Sequence, residues 1–309
     1  MFFTDWEGPW ILTDFALELT MAVFNNERFF RNLSLYDDYL AYEVKKEGYE
    51  AGYTVKLLVP FIAAADITEA RLANIAELTA KFVPDASEAM RRLQKMWKPV
   101  VISTSYRQYL EETASMIGVE GYLHGTDVSF DRIKISSELR SYLISTVDKI
   151  AGLKGEELFR FLDDLFSTPE IEEIVSSVRA VGAGEKAEIL RCYCEEYSIE
   201  FPVAIGDSIS DYKMFEVARK LGGVAVAFNG NEYALKHADI AIVSSTAMSE
   251  AAVVELLLRR GMVDSAIHSA CAGLRETEIY IMSDSDYREV LEKSKRMRVR
   301  LRGFAGELG

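Results

Sequence analysis

The sequence predicts an α/β protein: a parallel β-sheet covered on both faces by helices, accompanied by a mainly helical second unit. Three observations lead there. Short, unbroken apolar runs such as Pro99-Val100-Val101-Ile102 and Val224-Ala225-Val226-Ala227-Phe228 alternate with longer segments of helical periodicity. Continuous apolar runs are what strands buried on both faces require, and alternation with helices places the crossovers on both faces. Two long acidic helical stretches, at 14–83 and 128–183, interrupt the series without any strand signal.

The elements follow in order. Residues 1–5 form an apolar run that stops at Asp5, with a turn at Gly8-Pro9. Helical periodicity fills 14–83, where Tyr36, Tyr39, Tyr42, Tyr49 and Tyr53 read as core of that unit. Pro84-Asp85 opens a helix running to about Met96, with Asp85 in its first turn. The strand 99–102 ends at Ser103-Thr104-Ser105, three residues suited to cap a helix from about Arg107 to Ile117. A short strand at 121–124 precedes the 128–183 stretch. Gly182-Ala183-Gly184 breaks that pattern, and a helix covers 185–197. Strands at 202–205, 224–228 and 240–243 complete the series, with helices at 211–221 and, capped by Asn229-Gly230-Asn231, through His237. After about Thr246 the sequence reads as extra helix. It ends in a basic run of Arg288, Lys293, Lys295, Arg296, Arg298, Arg300 and Arg302. That run reads as a solvated helix face, or alternatively as an interaction surface, contact with the protein's own acidic regions included.

The 309 residues suffice for one large core and an accessory unit, at an ordinary 49% hydrophobic content. A formal charge of −14 argues against a nucleic-acid partner, because phosphodiester backbones are repelled. Cys192, Cys194 and Cys271 are too few for a disulfide framework. His124, His237 and His268 lack metal-ligand spacing. No apolar run reaches the length of a membrane span and no leader precedes the first strand, so the expectation is a cytoplasmic protein without membrane contact.

Ligands of parallel sheets bind beyond the carboxyl ends of the strands. Asp5, Ser103 and Asp207 lie at three such ends, with Asp211 at the start of the next helix and Lys186 at the start of another. Hydrolysis of a phosphate monoester through a covalent intermediate needs a nucleophile, a proton donor, a divalent cation and fixed donors for the phosphoryl oxygens. Carboxylates, a lysine and a hydroxyl at one sheet edge supply those types, and hard oxygen donors suit Mg²⁺.

In this order the residues resemble the four motifs of the haloacid dehalogenase (HAD) superfamily. Phe3-Thr4-Asp5-Trp6-Glu7-Gly8 is similar to its Asp-x-Asp motif, and Val101-Ile102-Ser103 to the strand ending in Ser or Thr. Glu185-Lys186-Ala187 resembles the helix-start lysine, and Gly206-Asp207-Ser208-Ile209-Ser210-Asp211 the Gly-Asp-x-x-x-Asp motif. Phosphoserine phosphatase-like segments are Pro84-Asp85-Ala86 onward, Ala227-Phe228-Asn229-Gly230, and Leu235-Lys236-His237-Ala238-Asp239. The resemblance covers roughly 1–13, 84–127 and 184–245. It implies a Rossmann-like core at 1–13 and 84–245, with 128–183 as a helical insert. A helical cap at 14–83 and a C-terminal helical extension at 246–309 complete the division. It further implies a Mg²⁺-dependent phosphatase acting on a small phosphorylated substrate. Asp5 is then the nucleophile and Glu7 the acid and base, Ser103 and Lys186 hold phosphate, and Asp5, Glu7 (through its backbone carbonyl), Asp207 and Asp211 bind the metal.

Glu7 departs from the pattern, which has Asp there. One extra methylene displaces the carboxyl, and a shift of about 1 Å can cost about a hundredfold in rate. The alternative function is therefore a catalytically impaired HAD-fold subunit that binds or regulates. Phosphoryl transfer to another acceptor is a further branch, and dehalogenation ranks below it because it needs no metal. No protein partner is readable from the sequence.

Overall fold

The computed structural model describes residues 1–50 and 52–307. Its strands are β1 (Phe2–Thr4), β2 (Pro99–Tyr106), β3 (Tyr122–Thr126), β4 (Val203–Gly206), β5 (Val224–Phe228), β6 (Ile240–Ser244) and β7 (Thr277–Ile281). They form one sheet in the order β3-β2-β1-β4-β5-β6-β7. All neighbouring pairs are parallel except β6 and β7. The sheet is thus an α/β fold of the expected class, with an antiparallel edge.

Successive connections run outward to β3 on one side of β1 and to β7 on the other. The reversal lies between β1 and β4, and a crevice opens there at the carboxyl ends. Phe2 and Phe3 of β1 are both fully buried and belong to apolar clusters on opposite faces of the sheet. That is why the strands read as unbroken apolar runs.

Between β1 and β2 lie α1 (Phe15–Phe24), α2 (Glu27–Asp38), α3 (Thr54–Ala64), α4 (Glu69–Thr79) and α5 (Ala86–Gln94). α6 (Arg107–Met116) links β2 to β3. The next stretch holds α7 (Ser137–Gly152), α8 (Gly155–Phe166) and α9 (Pro169–Ser177), and α10 (Ala183–Glu196) leads to β4. α11 (Tyr212–Lys220) and α12 (Glu232–His237) connect the following strands. α13 (Met248–Arg260), α14 (Ile267–Ala270) and α15 (Tyr287–Arg302) come after β6.

Two expectations are corrected. The stretch after 246, read as wholly helical, contributes β7. Its Thr277-Glu278-Ile279-Tyr280-Ile281 is a half-buried edge strand, too short to stand out between helices. β2 continues past Ile102 to Tyr106, so Ser103, Thr104 and Ser105 are strand residues. The register against β3 shifts between Ile102 and Tyr106.

The two helical stretches meet. α2 and α3 lie against α7, and α3 against α9. The Tyr36 hydroxyl donates to Asp163 Oδ1 at 2.6 Å, and Asn32 Nδ2 to the carbonyls of Ile150 and Leu153 at 2.6 and 3.1 Å. Phe61 of α3 sits at this seam, fully buried, its ring 4.8 Å from Phe29 and 6.4 Å from Phe166. Deleting such an aromatic ring costs the transfer energy plus a cavity. Phe61→Ala should destabilise the protein by about 3–5 kcal/mol in urea unfolding. A loss under about 1 kcal/mol would mean the seam contributes little.

Candidate active site

The site begins where β1 ends. The Asp5 N–H donates to the Ile205 carbonyl at 2.9 Å, which fixes Asp5 beside β4 at the crevice. The chain then folds back on itself: the amides of Trp10 and Ile11 both donate to the Trp6 carbonyl, at 3.1 and 3.2 Å. Indole hydrogen bonds from Trp6 to Thr113 (2.9 Å) and from Trp10 to Thr4 (2.8 Å) tie this loop to the core. Gly8 sits in the loop at φ +98°, and a Cβ there would overlap the Asp207 carboxylate. Both the positive φ and the close approach demand glycine.

Lys186, in the first turn of α10, is fully buried. Its Nζ lies 2.8 Å from Asp5 Oδ2 and 2.7 Å from Asp211 Oδ1. The other oxygen of Asp211 accepts the amides of Asp207 (2.9 Å) and Ser208 (3.0 Å), so Asp211 closes the loop after β4 on itself. Asp5 Oδ1 accepts the Trp6 amide at 2.7 Å. Burial raises the Asp5 pKa to about 7, against the lowering effect of Lys186. For Lys186, burial opposes the charge, but Asp211 and Asp5 outweigh it and hold the ammonium above its ordinary value.

Asp5, Asp207 and Asp211 are all buried, and each brings one carboxylate oxygen within 4.8 Å of the others. Three hard oxygen donors so close together fit the Mg²⁺ that the sequence resemblance implies. Asp5, Asp207 and Asp211 are the side chains that would hold it.

Asp207 has partners that the motif reading missed. Its Oδ2 is ion-paired with Arg298 and, at 2.9 Å, with Arg302, both from α15. The basic run on an acidic chain was the available signal, but nothing in its pattern told these two arginines from their solvent-facing neighbours.

Glu7 is half-buried in the same wall. Its Oε1 accepts the Phe15 amide at 3.1 Å, at the start of α1. Burial first, then the neighbouring Asp14, push its pKa up to about 8, with the Phe15 hydrogen bond and Arg302 opposing. Ser103 is fully buried, and its Oγ accepts the Ser105 amide at 3.1 Å. The adjacent Thr104, instead, lines the cavity in front of Asp5 and Asp207. Asn229 clamps the loop between β5 and β6, exchanging two side-chain hydrogen bonds with the Ser244 backbone at 2.8 and 2.9 Å.

The cavity has a volume of about 130 Å³. Its walls include Asp5, Glu7 and Asp207 on one side and Ser34, Asp38 and Thr54 on the other. Three contacts that hold the second wall to the first are Lys213 paired with Glu50 at 2.7 Å, the Tyr53 hydroxyl donating to Glu185 at 3.0 Å and the Tyr106 hydroxyl donating to the Val55 carbonyl at 2.6 Å.

The Glu7 shift has a consequence for stability. A carboxyl whose folded pKa is raised favours the folded state fully below the unfolded value. That contribution is lost as pH rises from the ordinary 4.5 through about 8. Urea unfolding across this window should show the wild type losing more stability than Glu7→Gln. Parallel profiles would contradict the proton-bearing state of Glu7.

No family model matches the chain, and no curated protein matches it. Among solved structures, the gene product AF1437 from Archaeoglobus fulgidus is 69% identical, with 100% of this chain and 98% of that one covered, at a TM-score of 0.97. A phospho-aspartyl intermediate analogue of phosphoserine phosphatase and a substrate-bound phosphoserine phosphatase complex each superpose at a TM-score of 0.52 and 15% identity. Each match covers 84% of this chain and 96% of the other. The chain therefore belongs to one family with the Archaeoglobus fulgidus gene product AF1437, and it shares the fold of the two phosphoserine phosphatase structures.

Proposed function

We propose that the protein is a Mg²⁺-dependent phosphatase that hydrolyses a small phosphate monoester through an aspartyl phosphate on Asp5. The observation that carries this is the buried cluster of Asp5, Asp207, Asp211 and Lys186 at the reversal point of the sheet.

The Asp5 carboxylate attacks phosphorus, and the bond from phosphorus to the leaving oxygen breaks. Glu7, protonated near neutral pH and held by the Phe15 amide, gives its proton to that oxygen. The resulting Glu7 carboxylate then takes a proton from water as the water attacks phosphorus, which releases phosphate and restores Asp5. Lys186 offsets the charge of Asp5 and of the phosphoryl group, and the Ser103–Thr104 segment supplies hydroxyl donors. Bound Mg²⁺ would neutralise charge on the transferring group, held by Asp5, Asp207, Asp211 and the Glu7 carbonyl.

We take residues 1–13 and 84–245 as the catalytic unit, 14–83 as a cap and 246–309 as an extension. The Glu50–Lys213 and Tyr53–Glu185 contacts make the cap a closable cover that excludes bulk water and limits substrates to small molecules. No helix among the described residues is long and apolar enough to cross a membrane. The three unpaired cysteines fit a reducing compartment, in keeping with a cytoplasmic enzyme. A second reading, a catalytically impaired binding subunit, is favoured by one observation: Arg298 and Arg302 already neutralise Asp207.

Hydrolysis of an aryl phosphate with Mg²⁺ and with EDTA, for the wild type and Asp5→Asn, separates the two. The proposal expects turnover that EDTA removes and that Asp5→Asn lowers by about a thousandfold or more. Full activity in Asp5→Asn would refute the nucleophile.

A further inference from the structure

Arg298 and Arg302 are four residues apart on α15 and so share one helix face. Arg298 is 4% exposed; besides Asp207 Oδ2 it donates to the Asp207 carbonyl at 3.2 Å and to the Gly306 carbonyl at 3.0 Å. Arg302 donates through Nε to the Leu12 carbonyl at 3.1 Å while Nη1 reaches Asp207 Oδ2. Two guanidinium groups therefore converge on one oxygen of the three-carboxylate cluster.

The formal charges show what that oxygen is holding. Asp5, Asp207 and Asp211 contribute three negative charges, and Lys186, Arg298 and Arg302 three positive ones. These six groups sum to zero with the arginines in place, and Glu7 and Asp14 line the same cavity beside them. Without the arginines the remaining four carry two negative charges, the deficit one divalent cation fills. With both the arginines and the cation present these six groups and the ion would carry two excess positive charges in a buried site, which is costly. The arginine pair and the cation are thus interchangeable in charge, and both would draw on the Asp207 carboxylate.

The attachment of α15 permits exchange. Its first half is anchored by Val290, fully buried in the core, and by the Ser294 hydroxyl, which donates to the Gly230 carbonyl at 2.7 Å. Between residues 295 and 302 the buried side chains are those of Arg298 and Arg302, both charged, so the last two turns are held mainly by charge. Charged contacts can be traded for other charged contacts, whereas a buried apolar face cannot.

We infer that Arg298 and Arg302 compete with a divalent cation for Asp207, so that release of the last turns of α15 gates cation loading of the site. This rests on the metal-binding role proposed for Asp207, and it adds a control element from the 246–309 extension.

Binding of Mn²⁺ alone, followed by the loss of the free-ion electron paramagnetic resonance signal, tests it without any turnover. Arg302→Met should bind Mn²⁺ on the order of tenfold more tightly than wild type. Arg300→Met, which removes the same charge from the same helix but pairs with Glu276, should not. Equal affinity in wild type and Arg302→Met, or an equal gain in Arg300→Met, would overturn the inference. Hydrogen exchange of the wild type supplies a check that no variant can confound. Saturating Mn²⁺ should lower protection at 298–302 and spare 287–294, and unchanged protection would overturn it. Tighter Mn²⁺ binding in Arg302→Met without hydrolysis of any phosphate ester would uphold the competition and refute the phosphatase. Asp5-dependent turnover with unaltered Mn²⁺ affinity would do the reverse.

Discussion

The Lys186 ammonium, buried between Asp5 and Asp211, is the contact on which the arrangement of the site depends. It joins three pieces of chain that are far apart in sequence: the end of β1, the start of α10 and the turn after β4. A buried ion pair is weak evidence for stability, because desolvation offsets much of the attraction; removing one partner is nonetheless expensive, about 3–5 kcal/mol. Such a cluster fixes geometry more than it adds stability. Asp211 shows this, since one oxygen meets Lys186 while the other gathers the amides of Asp207 and Ser208. The loop that presents Asp207 is thereby shaped by the lysine at one remove.

The surroundings follow from that core. The loop after Asp5 must pass close to Asp207, which only Gly8 allows. It also brings Glu7 to the first amide of α1, so the start of the 14–83 stretch is tied to the wall that holds Asp5. The 14–83 helices reach back to the core through Glu50 and Tyr53, and outward to α7–α9 through Tyr36 and Asn32. The two inserted stretches thus share a hydrophobic seam. The position of the 14–83 helices at the crevice comes from side-chain contacts that no local pattern encodes.

Much of the fold was legible because the physics is local. Parallel strands buried on both faces must be apolar throughout, so β1, β2, β4, β5 and β6 stood out as runs, and the polar residues ending them marked the sheet edge. β7 was not legible: an antiparallel edge strand needs only half its residues buried, and Thr277–Ile281 lies among helices. The extension of β2 through Ser103, Thr104 and Ser105 was missed because those residues favour caps and turns, and the sheet overrode that preference. Within the site, Asp5, Asp207, Asp211 and Lys186 could be named from position and type, and the structure brings all four together. Thr104 rather than Ser103 lines the cavity, in the stretch where the register of β2 against β3 shifts. Arg298 and Arg302 looked like the rest of a basic helix, because partners some ninety residues away in sequence leave no trace in local spacing.

The central claim is that Asp5 carries the phosphoryl group. Acid-quenched turnover of a phosphate monoester, followed by peptide mass spectrometry, tests it most directly. The account predicts one phosphoryl group on the peptide containing Asp5. Steady turnover with the phosphoryl group on another residue, or on none, would contradict it.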